Sequence, residues 1–261
     1  MSTILDEIVE NKKKQIEAEK QNVPLSELKT RARSQPVRFR EALAGEKISL
    51  IAEIKPQAPS AGELTNLPAV RIARVYEEED AVSAVSCLTD KEYFGQGLDT
   101  LRTIKTVLRK PVLRKDFILD PYQVYQSRVW GADAILLIAS ILKPSQLQEL
   151  HGLTQELGMD ALVEIHGRDE WKKLSFQPRI TGINNRTLDG DFQTDLSVTE
   201  NLAPEITNKT LLVSESGIKE SADVKRLRKI SNLNAILVGS SLLENAQSAD
   251  QVRSRVRDLM S

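Results

Sequence analysis

Residues 111–139 read PVLRKDFILDPYQVYQSRVWGADAILLIA. An apolar run from Pro111 breaks into charge at Arg114, Lys115 and Asp116 and closes on Phe117. A stretch with helical spacing follows from Pro121 to Trp130, and a second apolar run extends from Asp133 to Ala139. A strand, a helix and a strand in so short a span pair in parallel through a right-handed crossover, because only then does the helix pack back on the sheet. The unit recurs on both sides. Six further runs are Ser49 to Lys55, Val82 to Leu88, Ala161 to His166, Ile180 to Asn185, Leu211 to Ser216 and Ala235 to Ser240. Helix candidates between runs include Ala69 to Glu78, Leu98 to Leu108 and Pro144 to Leu157. Eight such units in roughly 200 residues predict a closed (β/α)8 TIM barrel, an α/β fold, over residues 49–261.

Residues 1–48 precede the barrel as a helical extension. Ile4, Ile8 and Val9 recur at helical spacing, and Lys12, Lys13, Lys14, Glu17, Glu19 and Lys20 continue a charged helix whose lysine run is expected to face solvent. Pro24 restarts the chain into Leu25 to Arg33, and Phe39 to Leu43 forms a third short helix. Such an extension either caps the barrel bottom or lies over the top, and both placements remain open at this point.

The length of 261 residues suits one barrel. With 36 basic against 37 acidic residues, no global field favours nucleic acid or an anionic membrane, so an anion must be held by a local site. The single cysteine, Cys87, lies in an apolar run, reads as a small buried hydrophobe and excludes a disulfide within the chain. No run reaches membrane-spanning length, and a cytoplasmic protein is expected.

In this fold the active site gathers at the C-terminal ends of the strands. Side chains alternate along a strand, so Glu53 shares a face with Lys55, Leu113 with Lys115 and Phe117, Leu162 with Glu164, and Asn184 with Arg186. If those faces point inward, the upper barrel collects these charges. An ion-pair layer closing the barrel is the plain alternative for any one of them, but buried charges are costly to assemble as a set without a use. Ser216 with Gly217, and Gly239 with Ser240, end the last two runs, where small residues let backbone N–H groups approach a phosphate. The only histidines are His151, in a helix candidate, and His166, read as structural or at the rim. No His or Cys cluster has ligand spacing and no Gly-rich dinucleotide segment follows a strand, so neither metal nor cofactor is expected.

The motifs Leu50-Ile51-Ala52-Glu53-Ile54-Lys55 with Pro59-Ser60, Leu88-Thr89-Asp90 with Tyr93-Phe94, Lys115-Asp116-Phe117 and Asp120-Pro121-Tyr122-Gln123 occur in order. Glu164, Gly182-Ile183-Asn184-Asn185-Arg186, Ser214-Glu215-Ser216-Gly217-Ile218 and Gly239-Ser240-Ser241 follow. Together they resemble the indole-3-glycerol-phosphate synthase family along nearly the whole chain. The resemblance implies a carboxy-lyase of tryptophan biosynthesis that converts 1-(2-carboxyphenylamino)-1-deoxyribulose 5-phosphate to indole-3-glycerol phosphate, with loss of CO2 and water. It implies Lys115 as general acid, Glu164 as general base, Lys55 as a second acid and Glu53 as the group that holds the lysines. It further implies Asn184, Arg186, Phe94, Phe117 and Ser60 around the substrate, and Ser216, Gly217, Gly239 and Ser240 around its phosphate. The extension is then read as a partial lid.

Two loops depart from the family pattern. Ala58-Pro59-Ser60 stands where Ser-Pro-Ser is usual, and Gly95-Gln96-Gly97 where Gly-Ser commonly ends the loop, which puts loop contacts in question more than reaction class. The expected partner is a phosphorylated small molecule, with no nucleic acid or membrane, and the chain is expected to act as a monomer or weak homodimer. Another phosphate-binding barrel enzyme of the pathway, or a barrel kept only for phosphate binding, are the alternatives. The first would need a Cys and Asp pair. The second leaves Lys55, Lys115 and Glu164 unexplained.

Overall fold

Eight parallel strands close on themselves in sequence order, each paired with its neighbours and the last with the first. They are β1 (Ser49–Ile54), β2 (Val82–Leu88), β3 (Val112–Lys115), β4 (Ala134–Ile138), β5 (Asp160–Ile165), β6 (Ile180–Asn184), β7 (Leu211–Glu215) and β8 (Leu233–Val238). The computed structural model describes residues 4–35, 38–58, 62–187, 193–207 and 209–261. Each of the eight runs becomes a strand, with ends shifted by up to two residues. Lys55, Asp116, Phe117, His166 and Ser216 lie just beyond the strand ends and line the cavity at the barrel mouth. Between β1 and the next helix, Gln57–Ala58 pairs with Gly62–Glu63 in an antiparallel hairpin.

Alternation divides the core into two layers. Ile51, Leu113, Leu136, Leu162, Val213 and Leu237 fill the barrel interior, whereas Leu50, Val85, Ile135, Val163, Leu212 and Ile236 pack outward against the helices. The inward positions one step further along the strands are Glu53, Lys115, Glu164, Asn184 and Glu215, so the same pleat that builds the core raises polar groups above it.

The extension forms α1 (Ile4–Asn22), α2 (Leu25–Arg31) and α3 (Phe39–Leu43). It serves both ends of the barrel. Phe39 and Leu43 are fully buried among the interior side chains, and the Arg40 backbone N–H donates to Asp160 Oδ2 at 2.8 Å, which seats α3 beneath the strands. Helix α2 packs along α4 (Pro121–Val129), which Asp120 and Gln123 start as a capping box. Helix α1 crosses the top, where Tyr122 donates to the carbonyls of Glu19 and Val23, and Lys20 pairs with Asp120 at 2.9 Å.

The lysine run is therefore not uniformly solvated. Lys13 and Lys14 are exposed, but Lys12 is only 2 % exposed. Its Nζ lies 2.6 Å from Asp90 Oδ2 and 2.8 Å from Asp116 Oδ1. Lys12 shares a helix face with the buried Ile8 and Ile16, four residues away on either side, which is why it turns inward.

Candidate active site

A cavity of about 740 Å³ opens at the C-terminal ends of the strands. Glu53 from β1, Lys115 from β3, Glu164 from β5 and Asn184 from β6 line it, together with Lys55 and Arg186 just beyond their strands. All six charged or polar positions read from alternation thus share one space. Phe94 and Phe117 add an aromatic wall, with Tyr93 edge-on to Phe117 at 6.4 Å between ring centroids. Leu5 and Ile8 of α1 cover this apolar side. Ser216, Gly217, Gly239 and Ser240 lie at the opposite end. Ser60 falls outside the described residues.

Glu53 is buried and stands between the two lysines. Its Oε1 is 3.6 Å from Lys55 Nζ, its Oε2 is 3.9 Å from Lys115 Nζ, and Ser86 Oγ donates to Oε2 at 3.3 Å. The lysines part in their acidity. Burial pushes Lys55 below its ordinary value, Glu53 opposes the shift, and the charges of Lys115 and Arg186 add to it. Burial acts the same way on Lys115, but Glu53 and Glu164 lead the charges that outweigh it and raise the ammonium. Lys115 is held charged, while Lys55 yields its proton more readily.

Glu164 is 3 % exposed, and its Oε2 is buried without a hydrogen-bond partner. Beside it stands Glu215, 1 % exposed, with neither oxygen hydrogen-bonded. Burial, the Glu164 carboxylate and Glu53 push Glu215 well above the usual carboxylate range, against the pull of Lys115. Glu215 therefore holds a proton more tightly than an ordinary carboxyl group. The sequence reading assigned Glu215 no role, although its parity with Val213, an interior residue, was the available signal. Gly182 makes its room: a Cβ there would collide with Glu215 Oε1.

His166 is a second revision. It stands on the inner face two residues beyond Glu164 and lines the cavity, with Nε2 at 3.4 Å from Glu164 Oε1 and Nδ1 at 3.4 Å from Glu170 Oε2. His151 is remote, stacked on Phe176 at 4.4 Å and pushed down to about 4 by burial and Arg179.

At the small-residue end, Ser216 and Gly217 both take positive φ, 67° and 80°, so the chain turns sharply at the cavity wall. Asn185, fully buried, holds that turn. Its Nδ2 donates to Ser214 Oγ and to the carbonyls of Glu215 and Ser216 at 2.9 to 3.0 Å, while its Oδ1 accepts from Thr199. Ser241 Oγ donates to the Ile218 carbonyl at 3.0 Å and joins the two loops. Gly239 has a further constraint, because a Cβ there would meet Glu53 Oε1 at 2.7 Å. The described residues hold no group of three or more His, Cys, Asp or Glu side chains suited to a metal. The cavity thus offers an aromatic slot, a charged floor, and an end lined by turns and small residues.

The family model described as indole-3-glycerol phosphate synthase matches residues 5–255. Among similar proteins, the indole-3-glycerol phosphate synthase of Thermoanaerobacter sp. (strain X514) is 41% identical over 258 residues, covering 98% of each chain. That of Dehalococcoides mccartyi (strain CBDB1) is 42% identical over 258 residues, covering 96% of this chain and 98% of the other. Among solved structures, the tryptophan synthase α subunit of Campylobacter jejuni superposes with a TM-score of 0.60 over 86% of this chain and 100% of its own. At 14% identity that is a likeness of fold alone.

Proposed function

The chain belongs to the indole-3-glycerol phosphate synthase family, and we propose that Lys115 and Glu164 carry its reaction as general acid and general base. That reaction converts 1-(2-carboxyphenylamino)-1-deoxyribulose 5-phosphate to indole-3-glycerol phosphate with loss of CO2 and water, a carboxy-lyase step of tryptophan biosynthesis. Ring closure requires the aromatic carbon that bears the carboxylate to attack the C2 carbonyl, and the charge gathering on oxygen must be met by a proton. Lys115 supplies it. The observation that carries this role is the pair of carboxylates, Glu53 and Glu164, that raise the Lys115 ammonium against its burial.

Departure of CO2 restores the aromatic ring. The new hydroxyl then leaves as water, with a proton from Lys55 or Lys115, while the neighbouring carbon gives up a proton to Glu164. The place of Glu164 on the cavity wall, across from the lysines, supports this role. Glu53 keeps the two ammonium groups on one side of the cavity. Asn184 and Arg186 orient the sugar, Phe94 and Phe117 flank the ring, and Ser216, Gly217, Gly239 and Ser240 receive the phosphate. Ser60 remains assigned to the substrate by family pattern alone.

The enzyme works as a monomer or weak homodimer in the cytoplasm. In support, α1 of the same chain completes the cavity, and the single thiol, Cys87, is buried and free. The test is Lys115→Met, which keeps much of the stem and removes the donor. A fall in kcat of about 10² to 10⁴-fold is expected by indole fluorescence, with an unchanged circular dichroism spectrum. A folded variant with parental kcat removes Lys115 from the role.

A further inference from the structure

We propose that His166 keeps beside Glu164 the proton that each turnover consumes, a positioning role that rests on Glu164 being the base. Charge balance sets the need. The substrate carboxylate departs as neutral CO2 and the hydroxyl as neutral water, so one proton must be taken up per cycle. The acid groups give two protons, one to the carbonyl oxygen and one to the departing hydroxyl, and the base recovers one. The deficit arises inside a cavity whose reacting floor is buried.

The geometry puts one group where that proton can wait. His166 Nε2 is buried without a hydrogen-bond partner and lies 3.4 Å from Glu164 Oε1. On the other side of the ring, Glu170 Oε2 accepts from the His166 backbone N–H at 2.8 Å and lies 3.4 Å from Nδ1. An oxygen already taking a backbone N–H also takes Nδ1–H, and that fixes the tautomer with the Nε2 lone pair toward Glu164. Two acceptors facing each other need a proton between them, so the pair exists either as imidazolium with carboxylate or as neutral ring with carboxylic acid. The groups facing the ring are Glu164, Glu170 and Lys115. Burial disfavours the imidazolium, but the hydrogen bond and charge of Glu170 and the charge of Glu164 prevail over burial and Lys115.

The transfers balance. After dehydration Glu164 carries the proton from the substrate and passes it to one depleted lysine, breaking an O–H bond and forming an N–H bond. Imidazolium Nε2–H then gives its proton to the freed carboxylate, which passes it to the second lysine. When product leaves, water entering the cavity protonates Glu164, which recharges Nε2, and the net change is one proton drawn from solvent.

Stopped-flow measurement on the intact enzyme tests this, with indole fluorescence and a pH-indicator dye followed together in a single turnover. In the parent, proton uptake should lag indole formation, because the reaction draws first on the stored proton. In His166→Gln, and in His166→Asn as a second variant, uptake should coincide with indole formation, and kcat should fall about tenfold and recover with imidazole buffer. Simultaneous uptake and indole formation in the parent overturns the proposal, as does a lag kept by either folded variant. Glu164→Gln separates the premises. If it retains parental kcat, Glu164 is not the base and the whole reading falls; if it is inactive while the parent shows no lag, only the role of His166 falls.

Discussion

Gly182 shows how a single position shapes the site. It sits on the inner face of β6 between Ile180 and Asn184, and the Glu215 carboxyl fills the space that any side chain there would take. The glycine is needed for close approach and not for its backbone angles. Gly182→Ala must therefore displace Glu215 or strain the strand, at an overpacking cost of about 1–3 kcal/mol in urea unfolding. Combining it with Glu215→Ala should restore most of that stability but not kcat. If the two substitutions are additive in stability, Glu215 does not occupy the Gly182 face in solution. By the same reasoning, a side chain added at Gly239 would press on Glu53 and through it on both lysines.

Helix α1 and the loops after β7 and β8 act as units. Lys12 ties α1 to Asp90 and Asp116, and Arg114 meets Asp116 Oδ2 at 2.8 Å from the other side. Asp116 directly follows Lys115, so this buried network joins α1 to the strand end that carries the proposed acid. Burial favours the protonated form of Asp116, but Arg114 and Lys12 outweigh it and hold the carboxyl far below the ordinary range. Its stabilising contribution is thus complete above the ordinary aspartate value and is lost as pH falls through the lowered folded value. Lys12, raised by Asp116 and Asp90 against its burial, contributes fully below the ordinary lysine value and loses that contribution as pH rises through its folded value. Lys12→Met leaves buried Asp90 without its cation and Asp116 with Arg114 alone, and a loss of about 3–5 kcal/mol is expected by denaturant unfolding at pH 7. The variant should also unfold with a shallower acid dependence and show a raised KM, because Leu5 and Ile8 lose their anchor. A stability within error of the parent rejects the network as the anchor of α1. At the other end of the cavity, Ser240→Asp puts a charge where the phosphate is proposed to lie. KM should rise at least tenfold for the phosphorylated substrate and little for its dephosphorylated analogue. An equal rise for both places the phosphate elsewhere.

The whole molecule is a barrel closed below by α3 and roofed above by α1, and neither placement was legible in the chain. The strand and helix rhythm made the eight βα units readable, because burial on both sides of a strand demands continuous apolar runs and helical crossovers demand a 3.6-residue period. Pleat parity then identified Glu53, Lys115, Glu164 and Asn184 as neighbours, since a barrel converts alternation into a shared interior. Glu215 obeys the same parity and could have been read with them. Lys12 carried a fainter sign, a cation on the stripe of Ile8 and Ile16, obscured by the lysines beside it. What alternation cannot carry is distance between elements far apart in sequence. That Glu53 stands between two lysines, that Glu215 lies over Gly182, that His166 faces Glu164 while Glu170 holds its other nitrogen, and that Phe39 plugs the bottom while Ile8 roofs the top all depend on how β1 to β8 tilt and close and on where the extension docks. Local composition sets which residues can be buried and which face they share. Charge, protonation and proximity belong to pairs of groups, and pairs come into being only when the barrel closes.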